Sequence, residues 1–191
     1  MTQDRLSHAK EAFNAFRVES VWVRTVYDTF TALYASGPDT AAMLRRTAPL
    51  FFADLNAMFL EYWVLVVCRL TDPSETRKRE NLTVKMLLGR LENLGVLSER
   101  IKLEAEGLQR YRDMLNTARN RVVSHADKDT FLSPALLGVH QEADVAAFLD
   151  HLQQFNDLVG IALGEGPLDF TGTSASGDVH DLLRTIANAA L

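Results

Sequence analysis

The sequence predicts an all-α protein, a helical bundle of about six to seven helices. Apolar residues recur at spacings of three and four along most of the chain, while runs that alternate between apolar and polar residues are missing. Stretches that contain Gly or Pro, such as SGPD at 36–39 and TDPS at 71–74, separate the periodic segments. With 191 residues, of which 47% are hydrophobic and 24% charged, the chain is long enough to bury one substantial core.

Spacing and stop signals predict the first three helices. Apolar residues from 6 to 34 indicate a long amphipathic helix, which SGPD ends, and a short helix over 39–46 follows. Thr47 is expected to cap a third helix that has Pro49 in its first turn and runs to about Leu70. Because this helix is apolar nearly all round, we expect it in the centre of the bundle.

The next segment, TDPSETRKREN at 71–81, is highly charged and is predicted to be a loop. Thr83 is expected to cap a helix over about 84–94, and Gly95 is expected to end that helix.

Ser98 is expected to begin a fifth helix. Its predicted buried face comprises Ile101, Ala105, Leu108, Tyr111 or Arg112, Leu115, Ala118 and Val122. A turn-rich stretch over 126–141 then leads to a helix over about 142–163. The inner stripe of that helix is predicted to be Val145, Phe148, Leu152, Phe155, Val159 and Ala162.

These elements divide the chain into three predicted parts. Residues 1–163 form the helical bundle, and residues 164–177, rich in Gly, Ser and Thr, form a flexible linker. Residues 178–191 form a C-terminal helix that packs either on the bundle or on a neighbouring subunit.

Composition favours a cytoplasmic protein outside the membrane. The N-terminal residues lack an apolar signal segment, and the longest apolar block, AMFLEYWVLVVC, is short for a membrane span and contains Glu61. The single cysteine, Cys68, fits a reducing compartment. The net charge of −5 argues against a general nucleic-acid binder. However, residues 69–128 hold 13 basic against 9 acidic side chains, which permits a local anion site.

The segment RNRVVSH at 119–125 interrupts the periodic pattern of the fifth helix. On an ideal helix, Arg119 and His125 lie about 120° apart, so they converge only if the helix ends or kinks near Ser124, or if two copies meet in a dimer. Arg121 and His125 are four positions apart and share a face, as in an ordinary solvated helix end. The spacing alone leaves these interpretations open.

The residue types suit cleavage of RNA without a metal ion or another cofactor. His125 can transfer a proton near neutral pH, and Arg119 offers a planar, charged set of donors to phosphate oxygens. Asn120 can hold a ribose hydroxyl or orient the histidine. A base that removes the 2′-hydroxyl proton lets that oxygen attack the adjacent phosphorus, while the arginine stabilises the developing charge.

Other polar residues are candidates for supporting roles. Asp127 either orients the imidazole or caps the following turn, and Arg121 would assist phosphate binding. Arg69 either pairs locally with Asp72 to hold the loop or supports the motif by contacting substrate. A metal site built from His125, Asp127, His140 and Glu142 is disfavoured because no recognised ligand spacing backs it.

The remaining distinctive side chains are interpreted as structural. Trp22 and Trp63 are predicted to be core residues. His8, His151 and His180 are predicted to lie on the surface. A polar stripe on the third helix is expected to mark a wetter seam or a subunit contact, and it consists of Asp54, Glu61 and Cys68.

With Arg119, Asn120 and His125 identified, the chain resembles the HEPN superfamily, and most of all its AbiU-like, abortive-infection branch. HEPN domains are helical bundles whose hallmark is Arg, often followed by Asn, then four to six residues and His. RNRVVSH fits that pattern. The segments RLTDP at 69–73, ENLTV at 80–84 and HADKD at 125–129 follow the AbiU-like order. The resemblance covers about residues 5–163.

The resemblance implies a homodimer in which two Arg/His motifs face one another across a cleft. It also implies a metal-independent endoribonuclease of toxin or phage-defence type, with RNA as its substrate and an antitoxin or inhibitor protein as a partner. The alternative is a non-catalytic, dimeric interaction module, because some members of the superfamily have lost catalysis. An accessible motif would favour the enzyme, whereas a motif closed within a subunit interface would favour the module.

Overall fold

The computed structural model describes residues 2–76, 78–118, 141–172 and 174–189. These residues form seven helices and one short hairpin, so the all-α fold class is confirmed. In chain order the elements are α1 (Thr2–Tyr34), α2 (Pro38–Thr47), α3 (Pro49–Thr71), β1 (Glu75–Thr76), β2 (Arg79–Glu80), α4 (Val84–Leu94), α5 (Glu99–Ala118), α6 (Glu142–Leu163) and α7 (Val179–Ala189).

Helices α1, α3, α5 and α6 surround the main core, to which α4 also contributes, and α1 and α5 each contact both α3 and α6. Tyr27 of α1 packs on Trp63 of α3 with ring centroids 5.9 Å apart, and Tyr111 of α5 packs on Phe148 of α6 at 4.9 Å. The two predicted inner stripes are confirmed, since they are buried in α5 and α6 as far as the described residues extend; Ala162 is only partly buried. Burial of each large apolar side chain contributes about 1.5–3 kcal/mol.

Capping chemistry determines several helix ends. The hydroxyl of Thr83 accepts a hydrogen bond from the backbone N–H of Met86 at 3.2 Å, and Gly95 ends α4 with φ 70°. The hydroxyl of Ser98 accepts from the N–H of Ile101 at 3.3 Å at the start of α5. These three predictions are confirmed.

The predicted cap at Thr47 is wrong. Thr47 is the last residue of α2, and its hydroxyl donates to the backbone oxygen of Met43 at 2.9 Å. Ala48 precedes α3 instead, and Pro49 opens the helix. Because proline brings no N–H to be satisfied, the start of α3 needs one hydrogen-bond acceptor fewer.

The charged segment after α3 contains structure that the sequence did not indicate. Strands β1 and β2 pair in antiparallel register, with Glu75 opposite Glu80 and Thr76 opposite Arg79. Each strand has two exposed residues, so no apolar alternation could reveal it. The side chain of Asn81 donates to the backbone oxygen of Pro73 at 2.8 Å and closes the base of the hairpin.

The chain after α6 returns along the bundle. Phe170 is buried in the main core, and the side chain of Gln153 donates to the backbone oxygen of Leu168 at 2.9 Å. Helix α7 contacts α1 and α2 of the same chain. Its apolar residues pack on a second cluster formed by Leu33, Leu44 and Phe52. The division of the chain into a bundle, a linker and a terminal helix stays a prediction.

Helix α3 is the one helix among the described residues that is long and apolar enough to cross a membrane. Its C-terminal half supplies the bundle core, because Trp63, Val66, Val67 and Leu70 are all buried there. Its N-terminal half exposes Leu50, Phe51 and Met58.

Close approach of α5 and α6 at Gly107 leads to a stability prediction. A Cβ atom at Gly107 would overlap the imidazole ring of His151, whose Nδ1 lies 2.7 Å from a carboxylate oxygen of buried Glu104. Gly-to-Ala changes in helix interiors ordinarily stabilise by about 1 kcal/mol. We expect Gly107→Ala instead to lower the free energy of unfolding by about 1–2 kcal/mol, measured by urea denaturation, because the ring must leave its partner.

Gly89→Ala in α4 is the matched control, since no atom lies within 4 Å of its added Cβ. This variant is expected to gain up to about 1 kcal/mol. A stabilised Gly107→Ala variant would contradict the predicted clash.

Candidate functional site

The predicted catalytic motif begins immediately after the described part of α5. Helix α5 runs to Ala118, and Arg119 is the next residue. Arg119, Asn120, Arg121, His125 and Asp127 all lie outside the described residues, so their proposed roles stay predictions. The structure does describe what holds the helix that leads into them.

An aromatic cluster anchors α5 shortly before the motif. The indole N–H of Trp63 in α3 donates to the hydroxyl of Tyr111 in α5 at 2.8 Å, and Phe148 of α6 packs against both rings. Burial raises the pKa of Tyr111 well above its ordinary value, so the hydroxyl stays neutral. From Tyr111 to Ala118 the helix rises only about 10 Å. The motif therefore follows directly from a helix that is packed on two sides.

An ion pair adds a second attachment. The guanidinium of Arg112 in α5 donates to the carboxylate of Asp72, just after α3, at 3.1 Å. Both side chains are largely buried, at 14% and 22% exposure, so solvent screens this pair less than one on the open surface. Tyr111, and not Arg112, occupies the core position that the sequence left open between them. The pair joins residues 40 positions apart, and no local pattern could reveal it.

Arg69 is the one predicted substrate-binding residue that the structure describes, and its side chain forms an ion pair with a residue of α1. Its guanidinium pairs with the carboxylate of Glu19 on α1. Arg69 and Asp72 thus each have a partner on another helix. The interpretation that they pair with each other to hold the loop is therefore wrong. The guanidinium of Arg69 remains half exposed, and its contact with substrate stays a prediction.

The structure corrects two further predictions. His151, predicted to lie on the surface, is partly buried and paired with Glu104. Trp22, predicted to be core, is 48% exposed. Of the polar stripe on α3, Cys68 is buried, whereas Asp54 and Glu61 are exposed, and its role as a wetter seam or a subunit contact stays a prediction. No group of three or more potential metal ligands occurs within the described ranges.

A groove that was not predicted from the sequence lies between α1 and α3. It has a volume of about 720 Å³ and is open to solvent. Its lining comprises Trp22, Thr25, Val26, Thr29, Leu55, Met58, Phe59, Glu61, Tyr62 and Leu65. The residues that line it lie on α1 and α3. The signal in the sequence was that α3 is apolar on more faces than one bundle core can cover.

The helical bundle, with α5 leading into an Arg-Asn-x4-His sequence, defines the class of protein. The AbiU2 family model of the HEPN group matches residues 6–182. The chain belongs to this HEPN AbiU2 family. Neither a comparison with curated proteins nor one with solved structures gives a significant match.

Proposed function

We propose that this protein is a metal-independent endoribonuclease of toxin or phage-defence type. The observation that carries the proposal is the family match over residues 6–182, a range that includes an intact Arg-Asn-x4-His sequence at 119–125. HEPN-family membership suggests an RNA-directed or abortive-infection role, and the residue types of the motif suit the chemistry.

In the proposed reaction, His125 removes the proton from a ribose 2′-hydroxyl, or returns a proton to the leaving oxygen. The 2′-oxygen bonds to the adjacent phosphorus as the bond from phosphorus to the 5′-oxygen breaks. Arg119 stabilises the charge that develops on the phosphate, and Asn120 orients the ribose or His125. The products are a 2′,3′-cyclic phosphate and a 5′-hydroxyl. The substrate supplies its own nucleophile.

Substrate binding is proposed to depend on the basic segment of the chain. Arg121 and Arg69 would contact the RNA backbone, and Asp127 would hold the imidazole of His125. Residues 69–128 carry a net charge of +4 within a protein of net charge −5. RNA affinity is therefore expected to be local and to fall with salt concentration.

A homodimer completes the proposal. On a regular helix, one copy of the motif presents Arg119 and His125 on different faces, and a second copy can supply the missing group. We propose that the dimer acts in the cytoplasm and that an antitoxin or inhibitor protein restrains it.

The proposal is tested by incubating the purified chain with a panel of RNAs in EDTA, beside Arg119→Ala and Arg119→Lys. We expect cleavage by the unmodified chain, none by Arg119→Ala and intermediate activity for Arg119→Lys, which keeps the charge but loses the planar set of donors. Full activity of Arg119→Ala would contradict the assigned role. Absence of cleavage together with weakened self-association of Arg119→Ala would favour the non-catalytic interaction module.

A further inference from the structure

The groove between α1 and α3 is lined mainly by apolar and aromatic side chains, with one carboxylate among them. Glu61 is the charged residue of this lining. Its carboxylate makes no hydrogen bond or ion pair with another residue in the part of the chain that the structure describes. A carboxylate without a partner, set in an apolar lining, is complementary to a positively charged group on a molecule that is otherwise apolar.

We propose that this groove binds a small molecule that has an elongated apolar body and a protonated amine. Glu61 pairs with the amine, and the apolar lining covers the body. The inference goes beyond the proposed nuclease and does not depend on it, because it rests on the size, lining and charge of the groove alone.

The dimensions of the groove favour a small molecule over a helix of a partner protein. Pockets for small ligands have volumes of about 300–1,000 Å³ and often lie between the helices of a bundle. The groove has a volume of about 720 Å³, and its lining on α3 runs from Leu55 to Leu65, a rise of about 15 Å. A helix of that length, with its side chains, occupies roughly 1,200–1,700 Å³ and would stand largely outside the groove.

A narrow recess extends the apolar part of the site. It has a volume of about 60 Å³ and lies beside the groove, since Val26 and Phe59 line both. Trp63 and Val145 of the main core also line it. A buried water needs about two to four polar partners, so this apolar and aromatic lining favours the end of a hydrocarbon chain.

Trp22 and Tyr62 prepare the polar part of the site. The indole N–H of Trp22 donates to the hydroxyl of Tyr62 at 2.8 Å, which holds the half-exposed indole ring in the lining before a ligand binds. A cation within about 6 Å of an indole face is attracted by the ring. An amine that pairs with Glu61 thus meets an aromatic wall in the same groove.

Titration of the full chain with decylamine, decanol and decanoate tests the proposal. These probes share one hydrocarbon chain and differ in charge, and each is kept below the concentration at which it forms micelles. Calorimetry gives affinity and stoichiometry. Tryptophan fluorescence reports the location, because Trp22 lines the groove and Trp63 the recess. We expect one decylamine per chain, with a sub-millimolar Kd that is at least about fivefold lower than that of decanoate.

Three variants separate the contributions of charge and of space. Glu61→Gln should weaken decylamine by about fivefold and leave decanol unchanged, because it removes the charge and keeps the shape. Glu106→Gln on α5 is the matched control, since Glu106 is also exposed but does not line the groove, and both affinities should stay unchanged. Thr29→Phe places a ring in the groove and should abolish binding of both probes. Circular dichroism checks that each variant is folded.

Several outcomes would overturn the proposal. Failure of decylamine to bind saturably would do so, as would equal affinity for decanoate or an affinity that Glu61→Gln leaves unchanged. Many decylamine molecules per chain would indicate a detergent effect only. If a helical peptide of leucine and lysine binds and decylamine does not, the groove belongs to a protein partner. RNA cleavage enters none of these measurements, so their result is independent of the proposed nuclease.

Discussion

Replacing His125 by alanine is expected to lower the rate of RNA cleavage by about 10²–10⁴-fold. Alanine cannot transfer a proton, so the 2′-oxygen would have to attack without a base. The measurement is single-turnover cleavage of a labelled RNA at saturating protein, which separates the chemical step from binding. Thermal unfolding of the same preparation should change little if the histidine serves chemistry.

The control for this variant is His180→Ala. His180 is exposed on α7, whose contacts are with α1 and α2, and it should leave the cleavage rate unchanged. Equal losses in both variants would show that the effect of His125→Ala is not specific. A large fall in stability with His125→Ala would favour a structural role for the motif.

Replacing Leu108 by alanine is expected to lower the free energy of unfolding by about 2–5 kcal/mol. Leu108 lies on α5 and is 0% exposed, within the main core cluster. Truncation removes apolar contacts and leaves a cavity that the surrounding helices fill only partly. Urea denaturation followed by circular dichroism measures the change.

Leu103→Ala is the matched control on the same helix. Leu103 is 56% exposed, so the same truncation should cost no more than about 0.5–1 kcal/mol. Similar losses for the two leucines would contradict the assigned orientation of α5.

Contacts between residues close together in the chain were easier to predict from the sequence than contacts between distant residues. The Thr83 cap and the Gly95 stop were predictable because each is a contact within one helical turn. The predicted cap at Thr47 was wrong because its hydroxyl can form a hydrogen bond at the end of α2 or at the start of α3, and in the structure it does so at the end of α2. Sequence spacing does not decide between two local hydrogen bonds of similar strength.

Interactions between distant residues could not be predicted in this way. The contact of His151 with Glu104 and that of Arg112 with Asp72 each join residues 40 or more positions apart. The prediction that Trp22 lies in the core was wrong for a different reason. It lies next to fully buried Val23, and periodicity places both near the apolar face of α1 without showing where that face ends.

The sequence predicts the chemistry of the candidate site but not its geometry. Residue types alone suggest a proton-transfer group in His125 and a phosphate-binding group in Arg119, and the family match covers the range that contains both residues. Whether these groups converge depends on the path of the chain beyond Ala118 and on a second subunit. Neither is encoded in helical spacing.

The chemical ends of the RNA fragments, produced by the purified chain in EDTA, test the central claim most directly. Attack by the 2′-oxygen at an Arg/His site predicts fragments with a 2′,3′-cyclic phosphate and a 5′-hydroxyl. Their yield should be unaffected by EDTA and should be lost in His125→Ala. Fragments with a 3′-hydroxyl and a 5′-phosphate, formed only when a divalent metal is restored, would contradict the proposed mechanism, as would intact RNA throughout.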